Sequence, residues 1–106
     1  MRMLSDVFPN ETEAKVAEGL LATLINSETP ITAVRLKREA QPDIKVLGVI
    51  SGVGNDDYIR IFEKLIEEGY IGIRGVSTTE TMTLGPNSLV AMSEDARRFF
   101  EEKYMD

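Results

Sequence analysis

Residues 62–71, FEKLIEEGYI, decide how this chain is expected to fold. They end an amphipathic stretch that starts near Asn55, and Gly69 is a typical residue for ending a helix. The β-prone run that follows Gly69 predicts a strand. The apolar face of this helix consists of Tyr58, Ile59, Ile61, Phe62, Leu65 and Ile66. We therefore predict a helix that Asn55 caps, that ends at Gly69 and that leads into a strand.

Two more helices are predicted upstream. Asn10 caps the first, with acidic residues in its first turn, and the helix runs to about residue 26. Thr32 caps a short second helix, which Pro42 stops. Residues 42–54 mix β-branched residues with three glycines, so we predict an inserted loop or short strand between the second and third helices.

The downstream part contains β-prone runs and turn-rich segments. Residues 70–76 and 81–84 flank the turn-rich segment 77–80, which predicts a β-hairpin. Residues 89–92 form either another short strand or the apolar entry to a last helix, which Ser93 caps. The apolar stripe of that last helix consists of Ala96, Phe99, Phe100 and Tyr104.

Length and composition limit the classes of function. The 106 residues suffice for a single domain with one core, and we expect residues 1–9 of it to be disordered. The chain has no Cys and no His, which excludes thiolate or imidazole metal sites, a Cys nucleophile, a Ser-His-Asp triad and disulfides. We predict that the protein is not an enzyme and that it needs neither a cofactor nor a metal.

No segment predicts contact with a membrane. The apolar stretch at residues 47–50 is far too short to span a bilayer. The first ten residues lack the apolar run of a signal peptide. We therefore expect a cytoplasmic protein.

The order of these elements and two of its motifs resemble a winged helix-turn-helix domain. The stretch FEKLIEEGYI is similar to the end of the third helix and the start of the first wing strand in that family. Residues 89–102, LVAMSEDARRFFEE, are similar to its last strand and the following helix, with Ala96 where Gly is common. The resemblance covers roughly residues 11–104, and small phage-associated YjcQ-like winged-helix proteins share this order and length. It implies an α+β fold with a three-helix core, a β-hairpin wing and a C-terminal helix.

The resemblance also implies a function. Many winged-helix proteins bind double-stranded DNA, so the first hypothesis is a DNA-binding transcriptional regulator of phage or mobile-element origin. Phosphate contacts would come from Arg35, Lys37, Arg38 and Arg74, and contacts near base edges from Arg60 and Lys64. One feature departs from the family: about thirteen residues separate Gln41 from Asn55, whereas a DNA reader usually joins these helices by a short turn.

The distribution of charge favours a different hypothesis. The net charge is −6, and the predicted third helix exposes five acidic and two basic side chains, which should repel a duplex. These side chains are Asp56, Asp57, Arg60, Glu63, Lys64, Glu67 and Glu68. The second hypothesis is therefore an acidic winged-helix protein-interaction module, an adaptor, inhibitor or nucleic-acid mimic that does not bind DNA.

The basic residues also have a purely structural interpretation. Arg35, Lys37 and Arg38 are then a solvated helix face paired with Glu39 and other acids. Arg60 and Lys64 would form ion pairs along their own helix, such as Asp56 with Arg60 and Lys64 with Glu68.

The last helix suggests self-association. Phe99, Phe100 and Tyr104 carry more apolar area than a final helix of so small a domain usually buries alone. We therefore predict a homodimer in which part of this stripe pairs with a second copy. Packing on the first helix is the alternative.

Overall fold

The computed structural model describes residues 1–27, 30–49, 53–74 and 88–105. In these ranges the chain forms six helices and three strands, so the predicted α+β class is confirmed. The elements are α1 (Leu4–Val7), α2 (Glu11–Ile25), β1 (Ile31–Thr32), α3 (Ala33–Glu39), α4 (Gln41–Val46), α5 (Asn55–Glu67), β2 (Ile71–Arg74), β3 (Leu89–Met92) and α6 (Glu94–Tyr104). No helix in the described ranges is both long enough and apolar enough to cross a membrane.

The three strands form one antiparallel sheet in the order β1-β3-β2. Val90 of the central strand faces Ile31 on one side and Ile73 on the other, and it is fully buried. Residues 89–92 are thus a strand, one of the two predicted alternatives. The predicted turn at 77–80 and the predicted strand at 81–84 lie outside the described residues.

Three predicted helix caps are confirmed. Asn10, Thr32 and Ser93 each accept a hydrogen bond from the backbone N–H three residues later, at 3.2, 3.2 and 3.1 Å. Each bond satisfies a backbone donor that has no partner within its helix. The side chains at the starts of α2, α3 and α6 therefore cap their own helices, as the sequence predicts.

The end of α5 is also as predicted. Gly69 has a φ of +85°, a conformation that favours glycine. Its N–H donates to the Ile66 carbonyl, and the N–H of Tyr70 donates to the Leu65 carbonyl at 2.9 Å. This pair of bonds is a Schellman motif, and it turns the chain from α5 into β2.

The predicted start of α5 is wrong by one residue. Gly54 occupies the N-cap position, and Asn55 is the first residue of the helix. The Asn55 side chain does not cap α5, because its Oδ1 accepts a hydrogen bond from Lys37 on α3. The Asn55 side chain, which the local pattern predicts to cap α5, therefore forms a contact between α3 and α5 instead.

The loop predicted over residues 42–54 is wrong in its first part, because 41–46 form α4. Pro42 lies in the first turn of α4, where its missing N–H needs no partner, so it separates α3 from a new helix. Ile44 of α4 packs against Gly19 of α2, where an added Cβ would lie 2.6 Å from Ile44 Cγ1. Burial of Ile44 explains why this glycine-flanked segment is helical. Residues 50–52 lie outside the described part.

The expectation that residues 1–9 are disordered is also wrong. Leu4, Val7 and Phe8 are buried in the core. The backbone N–H of Leu4 donates to the Tyr104 hydroxyl at 2.9 Å. Apolar burial and this long-range hydrogen bond hold the N-terminal segment against α6.

Candidate functional site

The basic residues predicted to contact DNA lie on three elements. Arg35, Lys37 and Arg38 belong to α3, and Arg60 and Lys64 belong to α5. Arg74 ends β2, and its side chain lies outside the described part. The surroundings of the other five side chains differ, and they determine which positive charges are available to a ligand.

Arg60 is held between two carboxylates. Its Nε donates to Glu13 Oε2 at 3.1 Å, and its Nη2 donates to Asp57 Oδ1 at 2.9 Å. The hydrogen bond to Glu13 raises the pKa of Arg60 above its ordinary value. The ion-pair interpretation is thus confirmed for Arg60, although the partner on its own helix is Asp57 and not Asp56. A guanidinium in this position is already paired and is poorly placed to reach a base edge.

Arg35 is paired in the same way. Its Nε lies 3.3 Å from Glu39 Oε1, one helical turn further along α3. This ion pair confirms the structural interpretation of Arg35. Arg35 therefore has an acid beside it on the surface where a DNA phosphate was expected.

Lys37 contacts neutral partners in the described part of the chain. Its Nζ lies 4.6 Å from the centroid of the Tyr58 ring, a cation–π contact, and donates to Asn55 Oδ1. Gln41 Nε2 in turn donates to the Tyr58 hydroxyl at 2.9 Å. Among the described residues neither Lys37 nor Arg38 forms an ion pair, so their charges are not compensated. The sequence pattern did not indicate the Lys37–Tyr58 contact, because the two residues belong to different helices.

An open groove lies beside this cluster. It has a volume of about 340 Å³. Its walls are formed by Val34, Lys37, Arg38, Gln41, Val53 and Tyr58. We call it the α3–α5 groove, and it combines apolar walls with two cations.

The outer side of α5 is predominantly acidic. Asp56, Glu63 and Glu67 are exposed there, and we call these three residues the acidic face. Ile59, which the helical pattern placed in the core, is 44% exposed. The predicted pair of Lys64 with Glu68 is not formed, because Glu68 is bound by Arg2 at 2.6 Å.

The apolar stripe of α6 packs inside the chain. Phe100 is only 1% exposed and stacks on Tyr104, with ring centroids 4.9 Å apart. Phe99 packs edge-on against Tyr70 at 6.2 Å and, like Tyr104, is partly buried against the core. The chain itself thus covers most of this stripe, which leaves less apolar area for a second copy than the sequence pattern predicts. Homodimerisation itself stays a prediction.

Comparison with protein-family models, curated proteins and solved structures finds no match to this chain. Within the described ranges no group of three or more acidic side chains is arranged to hold a metal ion. Function is therefore inferred from the chain's own residues and their geometry.

Proposed function

We propose that this chain is a winged-helix protein-interaction module that binds a basic protein partner through the acidic face of α5 and does not bind duplex DNA. The pairing of Arg60 with Glu13 and Asp57 is the observation that carries this proposal. It compensates the positive charge best placed on α5 to read DNA, and it leaves exposed carboxylates around it.

The order and pairing of the elements support the winged-helix part of the proposal. Helices α2, α3 and α5 correspond to a three-helix core, and the antiparallel strands β2 and β3 correspond to a wing. The short strand β1 lies between the first two of these helices and pairs with β3. Helix α4 is an addition to this plan, and α6 corresponds to the C-terminal helix.

Electrostatics support a basic partner. The net charge of −6 and the acidic face repel a polyanion and attract a polycation. Ile59, 44% exposed on the same side of α5, offers apolar contact area amid the carboxylates. A surface of this composition suits a partner that carries Lys or Arg next to an apolar residue.

A DNA-binding regulator of phage or mobile-element origin is the second candidate. Lys37 and Arg38 favour it, because neither is ion-paired among the described residues. They would supply phosphate contacts from α3.

A DNA-binding measurement separates the two candidates. Fluorescence anisotropy of a labelled random-sequence duplex is recorded with the protein at about 50 mM and about 200 mM salt, where electrostatic binding differs strongly. We expect no binding at either concentration. Salt-sensitive binding that Arg35→Ala combined with Arg38→Ala weakens would overturn the proposal in favour of the regulator.

A second measurement tests the acidic face directly. A labelled oligolysine peptide serves as the basic probe, and Glu63→Gln combined with Glu67→Gln should weaken its binding about three- to tenfold. The matched control is Glu101→Gln with Glu102→Gln on α6, which changes the net charge equally at exposed positions. Equal weakening by both double variants would mean that the probe senses only net charge, and the acidic face would not be the binding surface.

A further inference from the structure

Among the described residues, no acid lines the α3–α5 groove, although acids outnumber bases in the chain. The wall residues that the structure describes include two cations, Lys37 and Arg38, and no carboxylate. By contrast, a cavity of about 260 Å³ next to Arg60 is lined by Glu13 and Asp57 as well. The α3–α5 groove is therefore a local positive site in a negatively charged protein.

Hydrogen bonds among Lys37, Gln41 and Tyr58 order one side of this groove. Gln41 Nε2 donates to the Lys37 carbonyl at 2.8 Å and to the Tyr58 hydroxyl at 2.9 Å, which ties α3 to α5. The Tyr58 hydroxyl accepts that bond, and among the described residues its own hydrogen has no acceptor. Lys37, Arg38 and Tyr58 thus offer donors to a ligand from three positions around the groove.

The rest of the groove is apolar. Val34 is 51% exposed on α3, and Val53, just before α5, lines the same groove. A volume of about 340 Å³ suffices for one branched aliphatic side chain and an adjacent carboxylate. The groove therefore fits a ligand that is both apolar and negatively charged.

We propose that the α3–α5 groove is a docking site for an acidic peptide segment of a protein partner, in which Glu or Asp stands next to an aliphatic residue. The carboxylate binds Lys37 and Arg38, and the aliphatic side chain packs on Val34 and Val53. Charge complementarity identifies this occupant. The groove and the acidic face share no residue, so the groove site does not depend on the basic partner proposed above.

A peptide segment fits the surroundings better than a duplex. A duplex laid along α3 would also bring phosphates toward the carboxylates of α5, beginning with Asp56 next to Asn55. A short peptide ends within the groove and avoids them. The two ligands are distinguished by experiment.

NMR titration of the ¹⁵N-labelled full chain tests the proposal. The probe is acetyl-Leu-Glu-Glu-Leu-amide, and its uncharged counterpart, with Gln in place of Glu, is the control ligand. We expect the acidic peptide to shift the backbone amides of Val34, Arg38 and Tyr58 and to bind at least about fivefold more tightly than the control peptide. Equal binding of both peptides, shifts confined to other elements, or no shifts at millimolar peptide would overturn the proposal.

A pair of Arg variants completes the test. Arg38→Gln should lower the affinity for the acidic peptide about fivefold. Arg98→Gln, the same exchange at an exposed position on α6, should leave this affinity within about twofold of that of the unaltered chain. Superimposable spectra outside the groove show that each variant is folded. An equal loss of affinity in the two variants would mean that the peptide is attracted nonspecifically by charge, and it would overturn the proposed site. A duplex that shifts the same amides and displaces the peptide would assign the groove to phosphate instead.

Discussion

Arg60 on α5 and Glu13 in the first turn of α2 are joined by a hydrogen bond of 3.1 Å across 47 positions of sequence. The bond links the helix predicted to read DNA to the helix at the centre of the core. It also compensates the positive charge of Arg60, whose side chain stays exposed on α5. The Arg60–Glu13 contact thus connects two helices of the fold and also lowers the attraction of α5 for a negatively charged ligand.

We expect the exchange Arg60→Gln to lower the thermal midpoint at low ionic strength and to have little effect at about 1 M NaCl, because salt screens exposed charges. Thermal unfolding followed by circular dichroism at both salt concentrations measures this. Arg98→Gln is the matched control, since Arg98 is exposed and forms no ion pair among the described residues. A loss that persists unchanged at high salt would show that Arg60 contributes by packing and not by charge.

The N-terminal segment is expected to stabilise the fold. Leu4 is 2% exposed, so Leu4→Ala should lower the free energy of unfolding by about 2–5 kcal/mol through lost burial and a cavity. Urea denaturation measures the change. The neighbouring exposed residue provides the control: Ser5→Ala should alter stability by less than about 0.5 kcal/mol. A similar small effect of Leu4→Ala would mean that residues 1–8 do not belong to the cooperative core.

Two glycines differ in the space around them, so exchange to Ala should have different effects on stability. At Gly19 an added Cβ would lie 2.6 Å from Ile44 Cγ1 and 3.2 Å from Ile44 Cα. We expect Gly19→Ala to destabilise by about 1–3 kcal/mol despite the better helix propensity of Ala. Gly72 on β2 has nothing within 4 Å of an added Cβ, so Gly72→Ala should carry no steric cost. Urea denaturation of both variants is the measurement, and a stabilising Gly19→Ala would contradict the close approach of α2 and α4.

Two tyrosines, one buried and one partly buried, should make stability fall at alkaline pH. Burial raises the pKa of Tyr70 and that of Tyr104 above the ordinary value near 10. Above about pH 10 the unfolded chain therefore releases protons that the folded chain retains, so the free energy of unfolding decreases as pH rises. Urea midpoints between pH 8 and about 10.5 measure this decrease.

The Tyr70→Phe variant isolates the alkaline effect. Its stability at pH 8 should be lower than that of the unaltered chain, because the exchange removes the hydrogen bond that the Tyr70 hydroxyl donates to the Arg2 carbonyl. Its further loss toward about pH 10.5 should be smaller than that of the unaltered chain, since one of the two titrating groups is gone. An identical alkaline loss in both proteins would mean that the pKa of Tyr70 is the same in the folded and the unfolded chain.

Interactions within a few residues were predicted well. The caps at Asn10, Thr32 and Ser93 and the end of α5 at Gly69 each involve atoms no more than five positions apart. Such contacts depend on the identity of one side chain and on the local backbone, so a residue pattern is sufficient to indicate them.

Elements stabilised by distant partners were missed. Helix α1 is held by contacts such as Leu4 with Tyr104, 100 positions apart, and α4 by the packing of Ile44 on Gly19. Their own sequences are short, and that of α4 has Pro42 in its first turn. Isolated helices of this length are not stable in water, so tertiary burial decides whether they form.

The sequence by itself determined the helices α2, α3, α5 and α6, the strand β2, the net charge of −6 and the absence of Cys and His. The tertiary structure alone decided which cations remain available to a ligand. Arg60 is compensated by Glu13 from another helix, whereas Lys37 contacts the Tyr58 ring and forms no ion pair with any residue that the structure describes. The physical reason is that charges interact through space, and only packing brings side chains from distant positions within a few ångströms of one another.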